Sequence, residues 1–285
     1  MTKQSIKSEI VEAAQKAQCS FLEKNPSDTY IYELFTSQVT EAEYFVDVPI
    51  KNFVSLENRP FNQDTKSWKE AALKLKCNDW ECVADDIRRY FHSELRKTKF
   101  PPITSSNPLT CFITGDSVGC EVGNHRLVAA VVWKAYHEGE DSVLKKVYCY
   151  HREVNASIKH ILDVCVNSEH ELFAYRESSS TSFLLYKYKN YWAMYKQHRR
   201  DDDNAYVKEN YHYKLIGCGY FDWSLKLFMN TRMLITVLDY KLMMRSLELT
   251  SKGGPEFIKI DTDTIKLLVS NTLMNTAEKV KNDKS

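Results

Sequence analysis

A single glycine-containing turn carries residue types that suit phosphate binding. Residues 111–130 (CFITGDSVGCEVGNHRLVAA) form two strand-like runs and the start of an apolar helix, which is marked by Gly123, Asn124, His125 and Arg126. The first N–H groups of a helix have no partner within it, and the helix dipole makes that end partly positive, so an anion is stabilised there. Gly123 would let the backbone approach a phosphate closely, and His125 and Arg126 would donate to its oxygens. The alternative interpretation is an ordinary turn in which Arg126 pairs with a surface carboxylate.

Length and charge set broad limits on the function. A chain of 285 residues can form one large domain or two small ones with real cores. Its 39 Lys and Arg residues nearly balance its 38 Asp and Glu residues, which gives a formal net charge of +1. No global basic field therefore favours nonspecific nucleic-acid binding, although a local basic patch is compatible with this composition.

Cysteine usage and hydropathy indicate a reduced cytoplasmic protein. The eight cysteines are scattered without a CxxC pair, and Cys77 and Cys82 have no second Cys/His pair at finger-like spacing, so zinc is not expected. Several lie in apolar runs, as small buried hydrophobes do. Residues 1–18 lack the apolar core of a signal peptide, and no stretch has the apolar length needed to span a bilayer. We therefore expect a soluble protein with no metal site and no membrane partner.

Hydrophobic periodicity predicts a compact α+β unit around the turn. Apolar residues at helical spacing predict helices over residues 2–23, 66–75, about 80–95 and about 127–138, the second capped by Asp64 or Thr65. Short β-type runs predict strands at residues 45–50, 111–113, 118–122 and 145–150. Strand, helices, two strands, helix and strand thus follow one another between Val46 and Tyr150.

Four short motifs follow one another along this unit. They are Val48-Pro49-Ile50, Arg59-Pro60, Pro101-Pro102-Ile103, and Gly123-Asn124-His125-Arg126 followed by Ala129-Ala130. In order and spacing they resemble the ParB/sulfiredoxin superfamily over about residues 45–151. The resemblance implies a small mixed sheet with helices that binds a nucleotide. It divides the chain into an N-terminal helical extension (residues 1–44), a nucleotide-binding domain (residues 45–151) and a C-terminal domain (residues 152–285).

The turn itself distinguishes the branches of this superfamily. Sulfiredoxins carry Gly-Cys-His-Arg and use that cysteine in catalysis, whereas this chain has Asn124 there, which excludes their activity. Cys120 lies earlier, on a strand, and would not face the phosphate. ParB clamps bind CTP through Gly-Glu-Arg-Arg, and neither that turn nor a helix-turn-helix region is evident here. Free-serine kinases hold ATP or ADP with Gly-x-His-Arg, the nearest pattern, so the resemblance implies ATP with Mg²⁺.

Phosphoryl transfer would need a carboxylate to take the proton of the acceptor hydroxyl. The candidates are Glu57 and Asp64, in a polar loop, and Glu121, on the strand before the turn. Glu57 could equally belong to a solvated loop, and for Asp64 a helix cap is the favoured interpretation. By analogy with the superfamily, Arg59 and Lys66 would add nucleotide contacts, although surface charge is the favoured interpretation for Lys66.

The C-terminal domain is predicted to be mostly α-helical. Apolar spacing predicts helices over residues 156–166, 223–249 and 262–280, the second being either a core helix or a surface for homo-oligomerisation. Residues 183–213 interleave tyrosines with Lys and Arg, which suits either base stacking on nucleic acid or an amphipathic helix. The acidic run at residues 201–203 argues against a continuous basic groove. Nucleic-acid contacts would come from Tyr188, Lys189, Tyr191, Arg199 and Arg200.

Two functions follow from these observations. The leading hypothesis is a ParB/sulfiredoxin-like kinase or NTPase that transfers a phosphoryl group from ATP to a hydroxyl of a small molecule or nucleic-acid component. The alternative is a ParB-like protein that binds or processes DNA, including by nuclease-type chemistry, with the tyrosine-rich stretch as its contact surface. A fold kept as an interaction scaffold without catalysis is a third interpretation of the same residues.

Overall fold

The computed structural model shows a mixed α+β fold in two compact units, which confirms the predicted fold class at that level. It describes residues 5–28, 33–57, 61, 65–77, 79–96, 99–101, 107–167, 169–176, 182–189, 191–199, 211–220 and 258–280. The first unit comprises Met1–Glu33, Val39–Glu153 and Ser270–Ser285, and the second comprises Leu34–Gln38 and Val154–Val269. The chain therefore leaves the first unit and returns to it for its last residues.

The helices among the described residues follow the apolar periodicity of the sequence. The α-helices are α1 (Ile6–Lys16), α2 (Trp68–Leu73), α3 (Ala84–His92), α4 (Asn124–Glu138), α5 (Lys159–Cys165) and α6 (Thr262–Val269). Short 3₁₀ turns occur at Ser20–Glu23, Glu33–Phe35, Ile50–Asn52, Glu81–Val83 and Leu273–Thr276. Helix α4 is buried along most of its length, as its apolar sequence predicts.

The strands of the described residues form two sheets. They are β1 (Ser27–Asp28), β2 (Thr36–Pro49), β3 (Phe53–Leu56), β4 (Thr110–Thr114), β5 (Ser117–Val122), β6 (Val143–Val154), β7 (His170–Arg176), β8 (Ser182–Tyr188), β9 (Tyr191–Arg199), β10 (Tyr211–Tyr220), β11 (Ile258–Ile260) and β12 (Glu278–Lys279). The first sheet has the order β1-β3-β5-β4-β6-β2-β12, and the second has the order β10-β9-β8-β7-β11.

The first sheet brings the ends of two parallel strands to one edge. β3 and β5 are parallel neighbours, with Leu56 opposite Cys120, whereas β4 runs antiparallel to β5 and parallel to β6. The carboxyl ends of β3 and β5 therefore meet where α4 begins. In α/β sheets, this is the edge at which ligands usually bind.

The core of the first unit lies between this sheet and helices α1, α2 and α4. Cys111, Cys120 and Cys149 occupy neighbouring positions on β4, β5 and β6 and are fully buried. Burial raises the pKa of the Cys111 and Cys120 thiols well above the ordinary value, because a thiolate loses its hydration there. These cysteines are packing residues, as their apolar context predicts, whereas Cys82 is exposed.

The cap of α2 differs from the predicted one. Ser67 is the N-cap residue, and its hydroxyl oxygen accepts a hydrogen bond from the Glu70 N–H at 3.1 Å. The Glu70 carboxylate in turn accepts from the Lys66 N–H at 2.7 Å, so the two residues satisfy two free N–H groups together. Thr65 instead donates to the carbonyl of Phe61. Asp64, the other predicted cap, lies outside the described residues.

The described part of the second unit is mainly β-sheet, which corrects the prediction of a mostly helical C-terminal domain. All four strand pairs in its sheet are antiparallel. The tyrosines and lysines of β8 alternate with a period of two, so Tyr186 and Tyr188 share one face and Lys187 lies on the other. That period belongs to strands, and tyrosine itself favours strands. The helices described in this unit are α5 and α6.

The end of the chain also differs from its prediction. The helix expected over residues 262–280 ends at Val269, and a 3₁₀ turn and β12 follow. β12 pairs with β2, and the Val280 N–H donates to the carbonyl of Glu43 at 2.8 Å, so partners in the first unit satisfy this backbone. The helix predicted over residues 223–249, and the self-association surface assigned to it, lie outside the described residues.

Candidate functional site

The turn before α4 is a strand–glycine–helix junction. Gly123 is the N-cap residue and has a φ of 93°, a left-handed conformation that favours glycine. Its carbonyl accepts the first bond of the helix, from the Leu127 N–H at 2.9 Å. The N–H groups of residues 124–126 have no partner within the helix, and glycine has no side chain with which to bond them. The helix therefore begins at this glycine turn, as the sequence predicts.

Asn124 fixes the position of Glu57 beside this turn. The Asn124 side chain is buried; its Oδ1 accepts from the Glu57 N–H at 3.1 Å, and its Nδ2 donates to the carbonyl of Glu121 at 3.1 Å. The same Glu57 N–H also lies 3.1 Å from the carbonyl oxygen of Cys120. The Asn124 amide thus joins the carboxyl ends of β3 and β5. It leaves the exposed side chain of Glu57 at the edge of the sheet next to the helix start.

His125 is held as a neutral imidazole. Its Nδ1 accepts from the backbone N–H of Lys76 at 3.1 Å, and its ring packs edge-on against Phe61 at 4.7 Å. Burial lowers the pKa of His125, and the nearby charge of Lys76 lowers it further. Because Nδ1 is an acceptor, the proton of the neutral ring lies on Nε2. His125 therefore offers one N–H donor, as its predicted role requires.

Arg126 is turned into the protein. It is 6% exposed, its Nη1 donates to the carbonyl of Asn107 at 2.8 Å, and its Nη2 donates to that of Pro108 at 3.4 Å. Its guanidinium carbon lies 5.3 Å from the centre of the Phe100 ring. Burial raises the pKa of the neighbouring Tyr90 to about 12, although Arg126 opposes that shift. The guanidinium thus supports the loop before β4 from beneath the turn.

Glu121 is held by an arginine that sequence reasoning missed. Arg152, on β6, is 7% exposed and donates to Glu121 Oε1 at 2.6 Å, to the Tyr150 hydroxyl at 2.9 Å and to Glu33 at 3.2 Å. Its guanidinium carbon lies 4.1 Å from the centre of the Phe112 ring. No local motif marks Arg152, because its two carboxylate partners lie on another strand and on a distant 3₁₀ turn.

Burial is the main influence on the pKa of the Glu121 carboxyl. Burial raises the pKa of the Glu121 carboxyl; Arg152 opposes this rise, and the charges of Glu57 and Glu33 add to it. The charges of three carboxylates therefore interact here, and the buried guanidinium of Arg152 binds two of them, Glu121 and Glu33. Glu121 and Glu57, two of the predicted catalytic carboxylates, lie close enough to interact, and Glu57 has the more exposed side chain.

Among the described residues, no contact joins the turn to the other predicted phosphate-binding residues. Lys66 is exposed and its backbone N–H donates to the Glu70 carboxylate, which agrees with the surface-charge interpretation of its side chain. Arg59 and Asp64 lie outside the described residues.

The predicted nucleic-acid contacts are spread along one hairpin. Tyr188 and Tyr191 are paired across β8 and β9 next to the turn residue Lys189, whereas Arg199 lies at the other end of β9, opposite Tyr211. At a rise of about 3.3 Å per residue, Tyr191 and Arg199 are separated by about 26 Å. They cannot contact the same base. Arg200 lies outside the described residues.

The described residues lack both a cluster of metal-ligating side chains and a helix that could span a membrane. Their His, Cys, Asp and Glu side chains form no group of three or more arranged to hold a metal ion. No helix in the described ranges is long and apolar enough to cross a membrane.

Comparison with known proteins finds no matching family model, no matching curated protein and no matching solved structure. The resemblance to the ParB/sulfiredoxin superfamily therefore stays a prediction based on the four motifs.

Proposed function

We propose that the first unit is a ParB/sulfiredoxin-like domain that binds ATP with Mg²⁺ and transfers its terminal phosphoryl group to a hydroxyl. The observation that carries the proposal is the start of α4. There, a left-handed glycine precedes backbone N–H groups that have no partner within the helix, and Asn124 holds Glu57 beside them. Backbone donors and a carboxylate at the carboxyl edge of two parallel strands support a phosphate site with a proton acceptor beside it.

Each residue of the turn has its own role in this proposal. The N–H groups of residues 124–126 and the Nε2–H of His125 hold phosphate oxygens. Glu57 accepts the proton of the acceptor hydroxyl as the hydroxyl oxygen bonds to the γ-phosphorus. The bond from that phosphorus to its bridging oxygen breaks, and ADP leaves with the electron pair. Arg126 supports the turn from inside the protein.

The carboxylates near the turn suit a magnesium–nucleotide complex. Mg²⁺ usually takes one or two protein carboxylates together with substrate phosphates, rather than a cage of protein ligands. Glu57 and Glu121 are close enough for their charges to interact. Glu121 is the weaker candidate for the base, because Arg152 already binds its carboxylate. A metal held here would screen the charge of the nucleotide phosphates.

Two matched glycine variants test the phosphate site. A Cβ at Gly123 would come within 2.9 Å of the Arg126 guanidinium in a left-handed conformation, so Gly123→Ala is expected to weaken ATP binding roughly tenfold or more. Gly139, at the other end of α4, also has a positive φ, of 86°, with a ψ of −178°, and a Cβ there would have open space. Gly139→Ala is therefore expected to strain the backbone at least as much and to leave ATP binding unchanged.

The measurement is calorimetric titration of the full chain with ATP, ADP, CTP and inorganic phosphate in the presence of Mg²⁺. Absence of binding by the unmodified protein would refute the proposal. An equal loss in both glycine variants would mean that stability, and not the turn, controls binding.

Glu57→Gln separates binding from catalysis. The variant keeps the backbone N–H that Asn124 binds but removes the proton acceptor, so ATP affinity should persist. ADP formation with small hydroxyl compounds as acceptors should fall by a factor of about 100 or more. Glu153→Gln, which changes an exposed carboxylate on β6, is the control. Unchanged ADP formation in Glu57→Gln would remove this residue from the mechanism.

DNA binding is the second candidate function, favoured by one ring cluster in the second unit. His170 stacks on Tyr188 at 4.2 Å and bonds to the Tyr186 hydroxyl at 2.7 Å, while the Lys189 ammonium lies 5.1 Å from the centre of the Tyr188 ring. Aromatic rings beside a cation can stack on unpaired bases. The logarithm of the binding constant for single-stranded DNA should then fall linearly with the logarithm of the salt concentration. Undetectable or salt-insensitive binding would exclude this candidate.

A further inference from the structure

Helices α3 and α4 are joined at their C-terminal ends by a chain of contacts among four side chains. The indole Nε1–H of Trp133 donates to Nε2 of His92 at 3.1 Å, and Nδ1 of His92 lies 2.8 Å from Oε1 of Glu138. Lys134, itself 5% exposed, donates to both carboxylate oxygens of Glu138 at 2.7 and 2.6 Å. The chain of contacts lies at the end of α4 opposite to the candidate phosphate turn.

These contacts define the protonation state of His92. An indole N–H can only donate, so Nε2 of His92 must carry a lone pair and no proton. Glu138 can accept only if Nδ1 carries the proton, and this gives a neutral ring in a single tautomer. A second proton could be added only at Nε2, where it would point at the indole N–H. The bond from Trp133 and a charged His92 therefore exclude each other.

We propose that His92 is a proton switch that holds Trp133 against α3 when neutral and releases it when protonated. Imidazole is the side chain whose ordinary titration falls between about pH 5 and 8. Trp133 is 6% exposed, so its indole N–H loses its acceptor without gaining free access to water. The charged His92 keeps Glu138 as a partner, and the switch therefore changes one contact while retaining the other.

The charges around this pair come from three helices. The ring of His137 lies 6.5 Å from that of His92 and 4.3 Å from that of Trp133. Burial lowers the pKa of His137, as does His92, so His137 charges at a lower pH than an ordinary imidazole. The groups facing the switch are Lys134, His137 and Glu138 on α4, Arg88 on α3, one turn before His92, and Glu9 on α1, which binds Arg88.

The test follows the indole N–H resonance of Trp133 by NMR between pH 8 and pH 5.5, assigned by its loss in Trp133→Phe. We expect a shift toward the position of a free indole as the pH falls. His92→Gln should abolish the shift, because the glutamine oxygen accepts from the indole, its amide donates to Glu138, and neither titrates. His137→Gln should retain it.

Two outcomes would overturn the proposal. One is an indole resonance that stays fixed over this pH range in the unmodified chain. The other is a shift that survives in His92→Gln, which would assign the titration to another group. If Trp133→Phe does not fold, the resonance that moves in His92→Gln at pH 8 identifies Trp133 instead.

Discussion

Replacing Asp116 by alanine is expected to lower the free energy of unfolding by about 3–5 kcal/mol. Asp116 lies in the turn between β4 and β5 and is 4% exposed. Its carboxylate accepts from the Leu273 N–H at 2.7 Å, from the Thr272 hydroxyl at 2.6 Å and from the Ser270 hydroxyl. Hydrogen bonds to a charged group contribute about 1.5–3 kcal/mol each, and the variant also leaves a buried N–H without an acceptor.

The expected loss of stability is large because Asp116 attaches residues 270–280 to the rest of the first unit. Residues 270–280 return from the second unit to the first, and β12 within them pairs with β2. Farther along, Glu278 bonds to Arg96 and to Lys146 at 2.6 Å each, but all three lie near the surface. Solvent and salt weaken such exposed pairs. The buried carboxylate of Asp116 is therefore the principal attachment of this segment.

Urea denaturation measures the change in the free energy of unfolding. Glu278→Gln is the control, because it alters the exposed ion pairs of the same segment. The control should lose much less stability than Asp116→Ala. Asp116→Asn should fall between them, because its amide oxygen still accepts one or two of the bonds. Hydrogen exchange should rise over residues 270–280 in Asp116→Ala. A stability loss below about 1 kcal/mol would show that other contacts hold the segment.

Arg126→Ala is the variant with the second large expected effect, which is a lower free energy of unfolding. The variant removes a buried guanidinium and leaves the carbonyls of Asn107 and Pro108 without their donors, at a cost of about 2–4 kcal/mol. It also removes the contact with the Phe100 ring. Loss of nucleotide binding in this variant would therefore reflect a collapsed turn as readily as a missing phosphate contact.

Arg126→Lys separates these explanations. Lysine keeps the charge but cannot donate to two carbonyls with a planar fork, so the free energy of unfolding should still fall by about 1–2 kcal/mol. If Arg126 supports the turn from inside, the folded variant should bind ATP within about threefold of the unmodified chain. Unchanged stability with binding weakened tenfold or more would instead make Arg126 a phosphate ligand. Urea denaturation and calorimetric titration of the same sample give both values.

The sequence by itself determined the local features of the candidate site. Strands β4 and β5, the turn at Gly123 and the buried helix α4 lie close to their predicted bounds. Each depends on neighbouring residues: apolar runs, a glycine that tolerates positive φ, and a helix that is apolar on all sides. The burial of Cys111 and Cys120 followed from the same runs.

Tertiary structure alone decided which side chains meet at the turn. The Asn124 bond to Glu57 spans 67 residues, and the His125 bond to Lys76 spans 49. Arg126 faces inward because two carbonyls before β4 need donors, a requirement that no spacing in the sequence reveals. Register decided the second unit in the same way: the interleaved tyrosines and lysines were predicted to form an amphipathic helix or a base-stacking stretch, although their period of two is that of a strand. Their pairing with β7 and β9 satisfies the backbone groups and selects the sheet.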